Sequence, residues 1–140
     1  MVRTFELTKN GTSETDVIDL TEDVQDAVSK SEIANGIVTV FVPGSTAAVT
    51  TIEYERGVLK DLVLALERIV PRGEKYYHDS AWGDGNGYAH VRSALVGPSC
   101  SVPVKNGKLL LGTWQQIVLL DFDNRPRNRK VILQIIGDTR

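Results

Sequence analysis

From Val2 to Leu7 the chain switches between apolar and polar residues, the two-residue period of a strand with one covered face. Asn10-Gly11 is a turn signal; closing a hairpin there makes Asp16 to Leu20, with β-branched Val17 and Ile18, the returning strand. Thr21 then reads as a helix N-cap, followed by Glu22 and Asp23, whose charges suit the positive end of a helix dipole. Val24, Ala27 and Val28 recur at helical spacing, and Asn35-Gly36 offers a left-handed stop, so the pattern predicts a helix over residues 21–34. Ile37 to Val42 is a β-branched apolar run, too short for an independent helix, and predicts a buried strand. Pro43-Gly44 interrupts it, and Ala47 to Ile52 resumes as another strand.

The clearest helix follows. Val58, Leu59, Leu62, Val63, Leu66, Ile69 and Val70 form an apolar stripe, and Pro71 ends it. Residues 72–87 are polar, glycine-rich and aperiodic, the mark of a long and functional loop. Strands are then predicted at Ala89 to Val96, Ser99 to Val104, Lys108 to Leu111, Thr113 to Asp121 and Lys130 to Ile136, with Asn106-Gly107 as a hairpin turn. Steady β-α-β alternation is missing, which argues against a doubly wound parallel sheet. The expected fold class is α+β: a compact, antiparallel, β-rich, sandwich-like domain spanning residues 1–140, with two packed helices.

Composition narrows the function. The net charge of −2 argues against a nucleic-acid binder, which usually carries a basic face. Neither a membrane-spanning apolar run nor a secretory h-region is present, so the expected setting is the cytoplasm. The single cysteine, Cys100, excludes an internal disulfide and a multi-cysteine zinc site, and reads as a small core or interface residue.

Three stretches carry a resemblance. The first runs Val42-Pro43-Gly44-Ser45-Thr46-Ala47-Ala48-Val49-Thr50-Thr51-Ile52-Glu53. The second joins Tyr77-His78-Asp79 to Gly85-Asn86-Gly87-Tyr88-Ala89-His90-Val91. The third runs from Leu111-Gly112-Thr113-Trp114-Gln115-Gln116-Ile117 to Asp121-Phe122-Asp123 and Arg125-Pro126-Arg127. In order and spacing they resemble the YjbQ-like family, also called the secondary thiamine-phosphate synthase family. The resemblance implies a β-rich α+β fold, a homotrimer, and an activity like thiamine-phosphate synthesis on small phosphorylated pyrimidine and thiazole precursors. Many members have histidine where this chain has Ser45 and Tyr88, so a metal held through those positions would have lost two ligands here.

The residues themselves offer a modest chemical set. His78 and His90 are the only histidines; His90, after the glycine-rich loop and at the start of a predicted strand, reads as a general acid/base or as a locally bonded sheet-edge residue. His78 and Asp79, if extended, point to opposite faces and need not touch. Asp79, Asp84 and Glu53 are oxygen ligands suited to magnesium; His78, His90 and Glu53 would serve zinc. The expected catalytic set is His90, His78, Asp79 and Glu53. Ser45, Thr46, Asn86, Gln115, Trp114 and Arg127 are the expected substrate contacts: hydroxyls and a guanidinium for phosphate, an indole to stack on a flat ring. Each also has a plain structural reading, with Trp114 as a core anchor and the arginines as solvated surface. Metal-assisted hydrolysis of phosphate esters, or non-catalytic binding or assembly, are the rival functions. All the functional readings require segments near 45–53, 78–90 and 113–115 to meet at one hollow.

Overall fold

A computed structural model describes residues 1–139. The described residues form eight strands and four helices, an α+β fold with two antiparallel sheets. Strands β1 (Val2–Thr12), β8 (Arg127–Thr139), β3 (Ile33–Phe41), β5 (Ser99–Lys105) and β6 (Lys108–Leu109) make the larger sheet, in that order. Strands β2 (Asp16–Asp19), β7 (Gln116–Asp121) and β4 (Ala47–Ile52) make the smaller one. The helices are α1 (Thr21–Ser31), α2 (Arg56–Ile69), α3 (Tyr77–Trp82) and α4 (Gly87–Val96).

Side-chain alternation along β7 explains the layering. Ile117 and Leu119 face a core shared with Val38, Val40, Val102, Leu133 and Ile135 of the larger sheet and with Val24 and Val28 of α1. Val118 and Leu120 face the other way, onto Leu66 of α2 and Tyr88 and Ala89 of α4. With both faces covered, β7 must be apolar at every position from Ile117 to Leu120, and all four side chains are fully buried. The smaller sheet is therefore the middle layer, and α4 lies on its outer face, where Ser93 Oγ donates to the Ala47 carbonyl.

Several expectations change. Asn10-Gly11 closes no hairpin: β1 pairs with β8 and β2 with β7, and Gly11, at φ 70°, sits at a register shift between Lys9 and Thr12. Helix α1 ends earlier than expected, with Glu32 taking the left-handed position at φ 63°. Thr21 is its first residue rather than its cap, and its backbone and hydroxyl both donate to Asp19 Oδ1. The predicted strand Ala89–Val96 is helix α4, and the long loop contains α3, giving four helices rather than two. The buried set of α4 mixes Tyr88 and Ala89 with Arg92 and Ser93, so its helical stripe is hidden from a hydrophobicity reading. The strand expected from Thr113 begins only at Gln116. The Asn106-Gly107 hairpin is present between β5 and β6, with both residues at positive φ.

Gly36 and Gly137 are register partners in β3 and β8, and neither tolerates a side chain. A Cβ on Gly36 would stand 2.0 Å from the Ile136 carbonyl oxygen, and one on Gly137 2.1 Å from that of Asn35. These contacts are backbone and cannot yield without moving the strands. Gly36→Ala is expected to cost about 3 kcal/mol, a clash cost at the upper end for overpacking. Gly73→Ala, with nothing within 4 Å of its Cβ, is expected to melt with the wild type. Equal thermal melts for both variants would show that the close approach is not a constraint.

Candidate functional site

The end of the smaller sheet at Asp121 is held by a buried ionic network. Asp121 is fully buried, and Arg129 approaches it with Nε at 2.8 Å and a terminal nitrogen at 2.9 Å, a forked pair. Thr12 Oγ1 also donates to Asp121. Asp123, two residues on and 1% exposed, accepts from Thr46 Oγ1 at 3.0 Å, Arg127 Nε at 2.9 Å and the Asn124 N–H at 2.8 Å. Arg129 closes the circuit by donating to Thr46 Oγ1 at 2.7 Å. Burial alone pushes the Asp123 carboxyl up, but hydrogen bonds from Asn124, Thr46, Arg127 and Asn86 outweigh it and hold the group below its ordinary value.

Asn86 leads out of this network. Its Nδ2 reaches Asp123 Oδ1 at 3.4 Å, while its buried Oδ1 has no partner among the described residues. The next N–H, of Gly87, donates to Asp79 Oδ1 at 2.8 Å, so a carboxylate from α3 caps the first turn of α4. Glycine is required at this join because a Cβ on Gly87 would meet Tyr76 Cβ at 2.6 Å. Helix α3 thereby brings His78 onto α4: the rings of His78 and His90 lie 4.4 Å apart between centroids, tilted by 40°. His78 Nδ1 stands 3.4 Å from Asp79 Oδ1 and 3.4 Å from Asp84 Oδ1. Ligand-capable atoms of His78, Asp79 and Asp84 all fall within 4.8 Å of one another. His78 and Asp79 are helical neighbours, not the oppositely facing pair of an extended segment, and so they do meet.

The expected site divides in two. His78, Asp79, His90, Asn86, Thr46 and Arg127 gather around the Asp121 end of the sheet through the contacts above. Glu53 and Trp114 do not join them. They line a cleft with Asp19, Tyr54, Glu55 and Gln116, at the far end of β4 and β7. Ala47 pairs with Asp121 and Ile52 with Gln116, so the two ends lie about 17 Å apart at the usual strand rise. Within one chain, Glu53 therefore does not lie with His78 and His90; the carboxylates close to His78 are those of Asp79 and Asp84. His90 sits in a helix, not at the start of a strand. Trp114 is 72% exposed and anchors no core. Gln115 is tied locally, donating to Thr51 Oγ1 at 3.2 Å and accepting the Gly112 N–H. Ser45 is exposed, whereas its neighbour Thr46 is buried in the network.

Tyr88 is buried between two guanidinium groups, Arg72 at 5.4 Å and Arg92 at 5.1 Å from the ring centroid. Burial pushes its phenol above the ordinary value, and the group stays protonated at neutral pH. Arg92, 1% exposed, is a structural pin: it donates to the Val70 carbonyl and to Glu67. Burial also raises the Cys100 thiol, which packs against the main core and has none of the lowered pKa of a nucleophile. No helix among the described residues is long and apolar enough to cross a membrane.

Fold and site together define a class: a small α+β protein whose histidines and carboxylates meet on two short helices at one end of a buried middle sheet. Comparison with known proteins names it. The family model described as UPF0047 protein YjbQ-like matches residues 4–138. A UPF0047 protein of Archaeoglobus fulgidus is 42% identical over 132 residues, covering 94% of this chain and 100% of its own. Bacillus subtilis YugU is 32% identical over 139 residues, covering 98% and 100%. A crystal structure from Sulfolobus solfataricus, described as a YbjQ-like protein of unknown function, has a TM-score of 0.93 at 31% identity and covers 99% of both chains. An uncharacterized YjbQ/UPF0047 protein from Clostridium acetobutylicum has a TM-score of 0.86 at 36% identity, covering 94% of this chain and 99% of its own. The chain belongs to the YjbQ-like UPF0047 family. Membership establishes the fold and leaves the reaction to be argued from the site.

The network makes the pH response specific. A carboxyl held below its ordinary value stabilises the fold fully above its unfolded pKa, and that contribution is lost as pH falls through the lower folded value. For Asp123 the loss belongs below about pH 4. Asp123→Asn is expected to be less stable at neutral pH, since Arg127 loses its charged partner, and to show a shallower fall in stability on acidification. Urea melts across an acid series read both effects; parallel curves for wild type and variant would refute the assignment.

Proposed function

We propose that the corner formed by His78, Asp79 and Asp84, with His90 against it, holds a divalent metal ion and acts on a small phosphorylated molecule. One observation carries this reading: two carboxylates and an imidazole, from three sequence positions, present ligand atoms within 4.8 Å of one another. Mixed nitrogen and oxygen donors suit zinc, while the carboxylates alone suit magnesium. Such an ion, when bound, neutralises charge building up on a phosphate or diphosphate.

The chain's own groups supply the rest. Arg127 spends only its Nε on Asp123 and is 36% exposed, so its outer N–H groups remain for a phosphate. His90, half-buried beside His78, is placed to hand a proton or hydrogen bond to a departing oxygen. The resemblance to secondary thiamine-phosphate synthases names a reaction. The thiazole nitrogen forms a bond to the pyrimidine's methylene carbon as the carbon–oxygen bond to diphosphate breaks, and diphosphate leaves with the electron pair. Positioning and neutralisation of the leaving group are the protein's contributions. A metal-assisted phosphate-ester hydrolase is the second reading, favoured by the openness of the corner: the Asp84 side chain is 48% exposed, so water reaches it. A phosphorylated substrate and a free thiol both fit a cytoplasmic setting.

The same reading has the protein working as a homotrimer, with the outer face of the larger sheet as the contact. Val2, Ile136, Ile37 and Pro103 stand in register across four strands. Val2, Ile136 and Ile37 are each 50% exposed or more. The next row is uncharged, Thr4, Gln134, Thr39 and Ser101, and the one after it adds Ile132 and Phe41 beside a single charge, Glu6. So large an uncharged face is unusual on an isolated chain.

Three experiments test these proposals. Calorimetric titration with zinc, manganese and magnesium should find one site per chain, and Asp79→Asn should weaken it by at least about tenfold. No binding would remove the metal reading. Metal-loaded protein given both precursors should form thiamine phosphate and lose the activity in His90→Ala; turnover of a generic phosphate ester alone would favour hydrolysis, and ligand binding without turnover a binding protein. Light scattering should give a trimer for the wild type and a monomer for Ile136→Asp; a monomeric wild type would end the assembly proposal.

A further inference from the structure

The cleft at the Gln116 end of the smaller sheet takes no part in the chemistry above. It encloses about 380 Å³ and is lined by Asp19, Glu53, Tyr54, Glu55, Trp114 and Gln116. None of these is cationic; three are acids and two are aromatic. Trp114 is 72% exposed and Tyr54, whose hydroxyl donates to the Val17 carbonyl, 46%, so folding leaves the indole largely uncovered at a concave site.

The acids are not equivalent. Glu55 caps α2, accepting the N–H groups of Gly57 and Val58, and these bonds lower its pKa. Asp19 holds Thr21 through one oxygen. The Glu53 carboxylate has no hydrogen bond or ion pair among the described residues. Nor do the three carboxylates close on a small ion: among the described residues the group with ligand atoms within 4.8 Å lies at the other end of the sheet. A carboxylate without a hydrogen-bond partner beside an open indole suits a positive charge carried on a body larger than a metal. Cation–π attraction and a neighbouring carboxylate both favour such a ligand, and the volume suits a small molecule.

We propose that this cleft binds a small monovalent organic cation, an alkylated ammonium seated on Trp114 beside Glu53. Its charge is met by Glu53, its alkyl groups cover the indole, and the Gln116 amide, whose Oε1 already accepts the Tyr54 N–H, keeps its NH₂ for a polar substituent. The site is independent of the metal corner.

The test uses Trp114 as its own reporter, in a Trp82→Phe background that removes the other tryptophan. Choline is expected to change the fluorescence saturably, and its neutral carbon isostere, dimethylbutanol, to bind at least about tenfold more weakly. Glu53→Gln should lower choline affinity by about tenfold while the thermal melt stays unchanged. EDTA should leave choline binding intact, so failure of the metal proposal and failure of this one are separable. Equal responses to choline and isostere, no saturable response, or full affinity in Glu53→Gln would each overturn the proposal. Binding confined to a lysine peptide would also overturn it, in favour of a protein partner.

Discussion

The paired carboxylates Asp121 and Asp123 fasten the molecule together. Between them they collect Thr12 from the end of β1, Thr46 from the approach to β4, Asn86 from the approach to α4, and Arg127 and Arg129 from β8. Strand β8 belongs to the larger sheet and β7 to the smaller, so the ion pairs join two layers whose shared core is apolar. Removing two charges from water is costly, and such pairs seldom add much net stability over an apolar substitute. What they impose is geometry. Each carboxylate oxygen of Asp121 and Asp123 has a designated donor, and a sliding of one sheet over the other would strand several of them at once.

That geometry reaches the histidine corner through one chain of contacts. Asp123 fixes Asn86, the residue before α4; Asp79 accepts the first N–H of α4; and α3, which carries Asp79, lays His78 against His90. The corner is made of short helices whose positions depend on the sheet end beneath them. The opposite end of β7 presents a different surface, acidic and aromatic, without histidine. The sheet thus works as a spacer between two chemically distinct ends.

Strand periodicity was readable wherever one rule applied at a time. The apolar stripe of α2, the runs in β3, β5 and β7, and the Asn106-Gly107 hairpin are all visible in the chain. Helix α4 was not, because its inward face carries Arg92, which needs Glu67 and the Val70 carbonyl to be buried, and no local pattern announces those partners. The Asn10-Gly11 turn misled because a glycine at positive φ serves a bulge as readily as a hairpin. Residue types at the histidine corner were legible, His78, Asp79 and His90 among them, but their meeting depends on a helix hidden in a glycine-rich stretch. Glu53 was drawn to the wrong partners since sequence order cannot show which end of a strand a residue occupies. Asp121 and Asp123 stand in the sequence as part of a family-like block, and their role emerges only once β8 is beside β7.

Helix α2 stands apart from this frame. Its N-terminus is secured by Glu55, yet of its own residues only Leu66 is buried, and Ile69 is 69% exposed. A helix held mainly at its two ends, by Glu55 at one and by the Arg92 bonds to Glu67 and Val70 at the other, is a candidate for opening by itself, while the strands stay closed. Amide hydrogens of α2 would then exchange with solvent faster than those of β7, and the second core face, under Val118 and Leu120, would be uncovered briefly without global unfolding. Breathing of this kind would make the outer layer the adaptable part of an otherwise rigid molecule.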